Sequence, residues 1–344
     1  MNSDSQNIED FKRSFFEIIS ESKKVVITAH ISPDDDSIAS VLSTYTILSR
    51  EFPDKDIKIL YSGPKVERYN IFFNFEKINF VDDIANYLDD VDTLVLLDCN
   101  NIERSSKFPE KFSSIKNKIC IDHHNSPPDE LSIALIDSSY SSNSELVYNI
   151  LEGEKYLDKN LAELFLLGIL GDTGNLVHIK SSQSKVFLVV KKLIEIGDIR
   201  IDSFLSKFRV IPKKIMPLLQ EYVKNTTFLE IEGWPSLQYS FVDRSFIDKY
   251  DFSDEEMSAG SHIYLSQYLP RIEGQSWGFV FSPRTDGGVR MSSRSNADSV
   301  NVRIFHEQMG VGGGHDRASG ANFKQEGDGP MDVKTCLEKV LEFM

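Results

Sequence analysis

The sequence predicts an α/β protein: a parallel-sheet domain followed by a smaller α+β domain. Three observations carry this expectation. Short apolar runs that read as buried strands recur through the first half, and several end in chemistry-bearing residues. The 344-residue length exceeds that of one ordinary domain. From Thr226 onward the apolar runs alternate or cluster as strands, with few helical stretches between them.

Ile8, Phe11, Phe15, Ile18 and Ile19 recur at helical spacing and predict an amphipathic opening helix. Val25-Val26-Ile27 reads as a buried strand, with further strands at residues 57–60, 93–97 and 118–121 and room between them for crossover helices. Residues 160–170 are helical in pattern and lead into Gly171-Asp172-Thr173-Gly174, and another helix is expected through residues 184–196. The expected division is a first domain at 1–196, a partly helical linker at 197–225 and a second domain at 226–344. In the second domain, strands are expected near residues 228–231, 237–242, 277–282 and 289–293.

Hydrophobic residues at 40% and charged residues at 26% fit a globular chain. The net charge of −15 opposes the approach of a long phosphate backbone, so long duplex DNA is not an expected partner. Bound divalent ions can still attract a small anion locally. Cys99, Cys120 and Cys336 form no CxxC pair and are odd in number, which argues against a disulfide framework or a zinc knuckle and for a reducing compartment. Residues 1–10 are polar and acidic, and apolar runs such as 164–170 are too short for a bilayer, so a cytoplasmic chain without a membrane partner is expected.

The segment from His30 through Pro33 to Asp34, Asp35 and Asp36 places a histidine and several carboxylates in one strand-to-helix loop. A blander role exists for each: an aspartate there caps the following helix, and a lone histidine is often just a satisfied polar group. Asp98 and Asp122 each end an apolar run, and Asp122 precedes the pair His123-His124. His123 suits a metal, with Asp122 accepting a ring N–H. Asp172 reads equally as a helix-stop turn. In open α/β sheets, sites gather at the carboxyl ends of strands, so these distant groups can converge. Four carboxylates ~4 Å apart would repel by roughly 4 kcal/mol per pair at an effective dielectric near 20. Two divalent ions would balance them. Mixed histidine and oxygen ligands suit manganese, and such a pair can activate a water for in-line phosphoryl displacement.

These elements resemble the ordered motifs of the DHH phosphoesterases: His30-x-x-Pro33-Asp34-x-Asp36-x-x-Ala39-Ser40, then Asp98, then Asp122-His123-His124, then Asp172-Thr173-Gly174. The resemblance implies that His30, Asp34 and Asp98 hold one metal, and that Asp36, Asp98, His123 and Asp172 hold the other. It implies that His124 contacts the scissile phosphate and that Asp122 supports the histidines. Ser292-Ser293-Arg294-Ser295 and Gly312-Gly313-Gly314-His315 are similar to the signatures of the DHH-associated substrate-binding domain. By that likeness Ser292, Arg294, Gly313, Gly314 and His315 hold substrate, and Arg104 resembles a family arginine beside it. Physically, glycines let backbone N–H groups approach an anion, and arginine supplies charge. Ala39 departs from the usual glycine, Asp35 from a small residue, and Leu176 from phenylalanine.

Within the family the chain resembles the nanoRNase and pAp-phosphatase branch, which implies short oligonucleotides or pAp as substrates. A phosphodiesterase for cyclic dinucleotides, or for linear ones such as pApA, is the alternative. A catalytically silent nucleotide sensor is a third reading, against which the full ligand set argues. A homodimer is compatible with each of these.

Overall fold

Six parallel strands in the order β3-β2-β1-β4-β5-β6 organise the first half of the chain, as seen in a computed structural model that describes residues 3–31, 33–124, 131–151, 153–208, 210–324 and 330–344. The chain divides into two compact units, Met1–Arg209 and Val210–Met344.

The first unit opens with α1 (Ser3–Glu21), whose Phe11, Phe15 and Ile19 are buried. Then follow β1 (Lys24–Thr28), α2 (Asp35–Glu51), β2 (Asp56–Ser62), β3 (Ile78–Val81), β4 (Thr93–Leu97), β5 (Asn117–Asp122) and β6 (Ile133–Ile136). The expected room for crossover helices is filled only once, by α2. The connections from β2 to β5 use short 3-10 turns, and β3 and β6 lay outside the sequence expectation. Five helices complete the unit: α3 (Asn143–Ile150), α4 (Gly153–Tyr156), α5 (Lys159–Asp172), α6 (Val186–Gly197) and α7 (Ile201–Phe208). One sheet face packs on the larger helices, whereas Val26, Leu60, Leu94 and Leu96 on the other meet Ile84, Leu88, Ile102 and Phe112 of the turns.

The strand order reverses between β1 and β4, which are adjacent and parallel. At such a point the loops leaving neighbouring strands diverge and open a crevice beyond their carboxyl ends. His30 follows β1, Asp98 follows β4, and Asp122-His123-His124 closes β5, the next strand along.

The second unit contains α8 (Met216–Lys224), β7 (Thr227–Leu229), β8 (Leu237–Phe241), α9 (Arg244–Tyr250), α10 (Asp254–Gln267), β9 (Trp277–Pro283), β10 (Val289–Ser295), α11 (Val302–Gln308), β11 (Gly312–His315), β12 (Ala318–Phe323) and α12 (Val333–Phe343). Its mixed sheet runs β11-β12-β10-β9-β8-β7, with only β8 and β9 parallel. Period-two alternation splits β9 cleanly. Trp277, Phe279 and Phe281 pack with Val302, Phe305, Cys336 and Val340 of α11 and α12, while Val280 packs with Leu218, Tyr222, Tyr264 and Leu265 of α8 and α10.

Two sequence expectations are corrected here. Residues 197–225 are not one linker: α7 lies in the first unit and α8 in the second, and the division falls between Arg209 and Val210. The second unit is more helical than its strand pattern suggested. The run Gly312–His315 forms strand β11, paired to β12.

Candidate metal centre

The site is assembled from five chain segments. Asp34 caps α2: its side chain accepts from the Ser37 N–H at 2.9 Å, and the Ser37 hydroxyl answers the Asp34 N–H at 3.0 Å. The bland expectation for Asp34 therefore holds locally, yet the same carboxylate lies 3.3 Å from His30 Nε2. His30 Nε2 is also 3.4 Å from Asp98 Oδ2. Across the crevice, His123 Nε2 faces Asp172 Oδ2 at 3.0 Å, Asp98 Oδ1 at 3.5 Å and Asp36 Oδ2 at 3.9 Å.

Donor atoms of His30, Asp34 and Asp98 lie within 4.8 Å of one another, as do those of Asp36, His123 and Asp172, and those of Asp98, His123 and His124. Asp98 joins the groups, one oxygen turned to His30 and the other to the two histidines. Its backbone is left-handed, with φ of 55°. A non-glycine residue holds that conformation only where the surroundings over-determine it. Here the Asp98 N–H donates to Ile121 O at 3.1 Å, and Asn143 supplies a further clamp.

Asn143 is a site residue that motif reading missed. In the amide orientation that satisfies its neighbours, it donates to Ile121 O at 2.9 Å and accepts from Ser40 Oγ at 3.0 Å and the Asp98 N–H at 3.1 Å. The N–H groups of Asn143 and Ser144, at the start of α3, donate to Asp36 Oδ2 and Oδ1 at 2.6 and 2.8 Å. A helix N-terminus thus holds the fully buried Asp36 carboxylate. The signal was present: Ser142, with Glu145 three residues on, is an N-cap pattern.

Asp122 is buried and orients His124 rather than His123: its Oδ1 meets His124 Nδ1 at 2.7 Å and accepts the His124 N–H at 3.1 Å. Burial opposes the Asp122 charge, but His124 outweighs it and holds the carboxyl below its usual range. Burial pushes Asp36 well above that range, helped by Asp172 and Asp98; burial also raises Asp98. Burial disfavours charge on His30 too, yet Asp34 and Asp98 raise it to about 10. His123, equally buried, is brought to about 10 by Asp172, Asp98 and Asp36.

Asp98 Oδ1 is buried with no hydrogen-bond partner among the described residues. An orphaned carboxylate oxygen within a mixed histidine and carboxylate donor set fits a divalent ion. Arg104, exposed in the turn after β4, fixes the loop through its backbone, whose carbonyl accepts the Ile31 N–H at 2.7 Å.

In the second unit, Arg290, Ser292 and Arg294 share one face of β10, opposite the core-facing Val289, Met291 and Ser293. Arg294 Nη2 lies 3.2 Å from His262 Nδ1 of α10, and Nη1 donates to Ser293 O at 2.9 Å. Burial, then the neighbouring Arg290, lower Arg294 to about 10. Ser292 pairs with Gly320, which pairs with Gly313; nothing lies within 4 Å of a Cβ built there, so this floor is open. Gly312 and Gly314 are glycine for another reason: a Cβ would fall 2.0 Å from Gly320 O or 2.9 Å from Ala318 O, and Gly314 has φ of 144°. Strand pairing, not anion approach, demands those two. The side chain of His315 lies outside the described residues.

Several known proteins are similar to this chain. Residues 24–169 match the DHH family, N-terminal domain. The bifunctional oligoribonuclease and PAP phosphatase NrnA of Bacillus subtilis is 25% identical over 318 residues, covering 90% of this chain and 93% of that protein. An exopolyphosphatase-related protein of Bacteroides fragilis superposes with a TM-score of 0.80 at 22% identity, over 97% of this chain and 96% of its own. RecJ of Thermus thermophilus in complex with Mn2+ superposes with a TM-score of 0.53 at 12% identity, over 98% of this chain and 54% of its own.

Two outcomes test the site. A Cβ on Gly168 of α5 would fall 1.9 Å from Ser144 Oγ and 2.6 Å from Asp36 Oδ1. Gly168→Ala should therefore cost about 1–3 kcal/mol and weaken manganese binding; thermal melts with and without manganese read both, and an undiminished metal-dependent stabilisation would show that Gly168 does not shape the Asp36 cradle. Because His30 and His123 hold protons up to about pH 10, a dication taking their nitrogens must displace them. Calorimetry at pH 7.5 in buffers of different ionisation enthalpy should show net proton release on saturation, and affinity should rise with pH. Proton-neutral binding would show that neither histidine gives up a proton to the metal.

Proposed function

Residues 24–169 belong to the DHH family, and from that premise we propose that this chain is a metal-dependent phosphoesterase that hydrolyses short oligonucleotides and pAp. The observation that carries the reading is the pair of donor clusters joined through Asp98, with a buried carboxylate oxygen left without a hydrogen-bond partner. His30, Asp34 and Asp98 would hold one divalent ion, and Asp36, Asp98, His123 and Asp172 a second. Manganese suits this donor set, being more tolerant of imidazole than magnesium is. Such ions supply Lewis acidity towards phosphoryl oxygens and offset carboxylate charge that would otherwise repel a phosphate ester.

The chain's own residues do the rest. Asp122 fixes the ring of His124 for contact with the scissile phosphate, and the α3 N-terminus and Asn143 hold Asp36 and the Asp98 loop in place. Arg294, Ser292 and the open strand surface at Gly313, with Gly314 and His315 beside it, would be substrate-binding residues of the second unit, and Arg104 one of the first. Arg294 stands partly desolvated beside another cation, so an anion there relieves an existing cost. The named activity of the Bacillus subtilis relative supports short RNA and pAp as the substrate class.

The deciding experiment is a side-by-side assay with manganese on pAp, di- to pentanucleotides, cyclic dinucleotides and a long single strand. Turnover of the first two groups is expected, greater with manganese than with magnesium and absent in excess EDTA. Full activity in EDTA would overturn the metal assignment, and preference for cyclic dinucleotides or the long strand would overturn the substrate class. Arg294→Ala should lower kcat/KM on pAp by about ten- to a hundredfold and leave bis-p-nitrophenyl phosphate, which has one phosphate, nearly unchanged. Equal loss on both would place Arg294 elsewhere in the mechanism or in the fold.

A further inference from the structure

We propose that Arg68 binds a non-bridging oxygen of the phosphate held at the Asp/His cluster, with Asp35 and Tyr69 fixing its guanidinium; this deepens the phosphoesterase reading and rests on it. Asp35 lies between Asp34 and Asp36 on the first turn of α2. A Cβ on Gly171 would fall 2.5 Å from Asp35 Cβ, so the Asp35 side chain also packs against the residue preceding Asp172. Asp35 is therefore bracketed by candidate ligands from α2 and α5, and whatever it anchors stands at the rim of the cluster.

It anchors Arg68, from the turn at Glu67–Tyr69 that follows β2. Arg68 Nη2 and the Tyr69 hydroxyl each donate to Asp35 Oδ1 at 2.7 Å. The guanidinium lies over the Tyr69 ring, 4.6 Å from its centroid, and Nη2 also contacts the Tyr69 hydroxyl. Ion pairing alone does not explain this arrangement. A guanidinium serving only to neutralise a carboxylate favours the two-pronged fork, yet here Nη2 makes the contacts to both Asp35 and Tyr69. The Arg68 side chain is 45% exposed, against 11% for that of Asp35. The result is a planar cation, stacked and tethered at one corner, with donors left towards solvent beside a cluster that receives phosphate. Arginine is suited to that task because its fork matches two phosphate oxygens.

The test measures kcat and KM for Arg68→Ala, Arg68→Lys and the double variant Asp35→Asn/Arg68→Ala on pAp and on bis-p-nitrophenyl phosphate. Inhibition by inorganic phosphate and calorimetric manganese affinity are measured alongside. Arg68→Ala should lower kcat/KM on both substrates by about ten- to a hundredfold, weaken phosphate inhibition and leave manganese affinity at the wild-type level. Arg68→Lys should recover part of the loss, and the double variant should stay as slow as Arg68→Ala. Recovery to the wild-type rate in the double variant would mean that Arg68 only neutralises Asp35, and unchanged phosphate inhibition in Arg68→Ala would likewise overturn the proposal. An inactive wild-type enzyme on every substrate would instead sink the phosphoesterase reading itself, whereas an active wild type with an unaffected Arg68→Ala removes only the role of Arg68.

Discussion

The burial of several carboxylates in one small volume is the constraint on which the first unit depends. Asp36, Asp98 and Asp122 are almost wholly shielded from water and lie within reach of the same two histidines. Buried charge of one sign is tolerated only where hydrogen bonds, opposite charge or a proton offsets it. All three occur here. The α3 N-terminus donates to Asp36, His124 pairs with Asp122, and burial together with neighbouring carboxylates raises Asp36 and Asp98. Among the described residues, Asp98 Oδ1 and His123 Nε2 are both buried without a hydrogen bond, at the point where the donor groups meet.

The fold supplies that compensation through its topology. Reversal of strand order between β1 and β4 opens the crevice, and the left-handed backbone at Asp98 turns its carboxylate to serve both sides. Helices α2, α3 and α5 pack closely enough that Gly168 has no room for a methyl group beside Ser144 and Asp36. Core packing and site geometry are there the same contact, so a substitution in α5 reaches the chemistry without touching a ligand.

The second unit separates its two jobs by the pleat of one strand. Val289, Met291 and Ser293 of β10 face the core, where Ser293 and Ser319 hold the buried His306 between them at 2.9 Å each. Burial lowers His306 to about 4, so it stays neutral and the pairing of β10 with β12 keeps its charge-free support. Arg290, Ser292 and Arg294 face the other way, beside strand glycines. A register slip of one residue would exchange the two sets.

The α/β class, the strands at β1, β2, β4 and β5, and eight of the residues that meet in the cluster were legible in the sequence, because apolar runs and the residues ending them are local signals. His30, Asp34, Asp36, Asp98, Asp122, His123, His124 and Asp172 could be named from such runs and their motifs. Short strands β3 and β6 carried too little pattern, and the 3-10 connections carried none that resembled a helix. Only the tertiary structure decided that Asp122 serves His124, that Asn143 and Ser144 hold Asp98 and Asp36 in place, and that Asp35 reaches Arg68. Those pairings span up to 108 positions of chain. They depend on which helix end packs against which loop, a matter of distance and direction in the folded state that no local pattern of residues encodes.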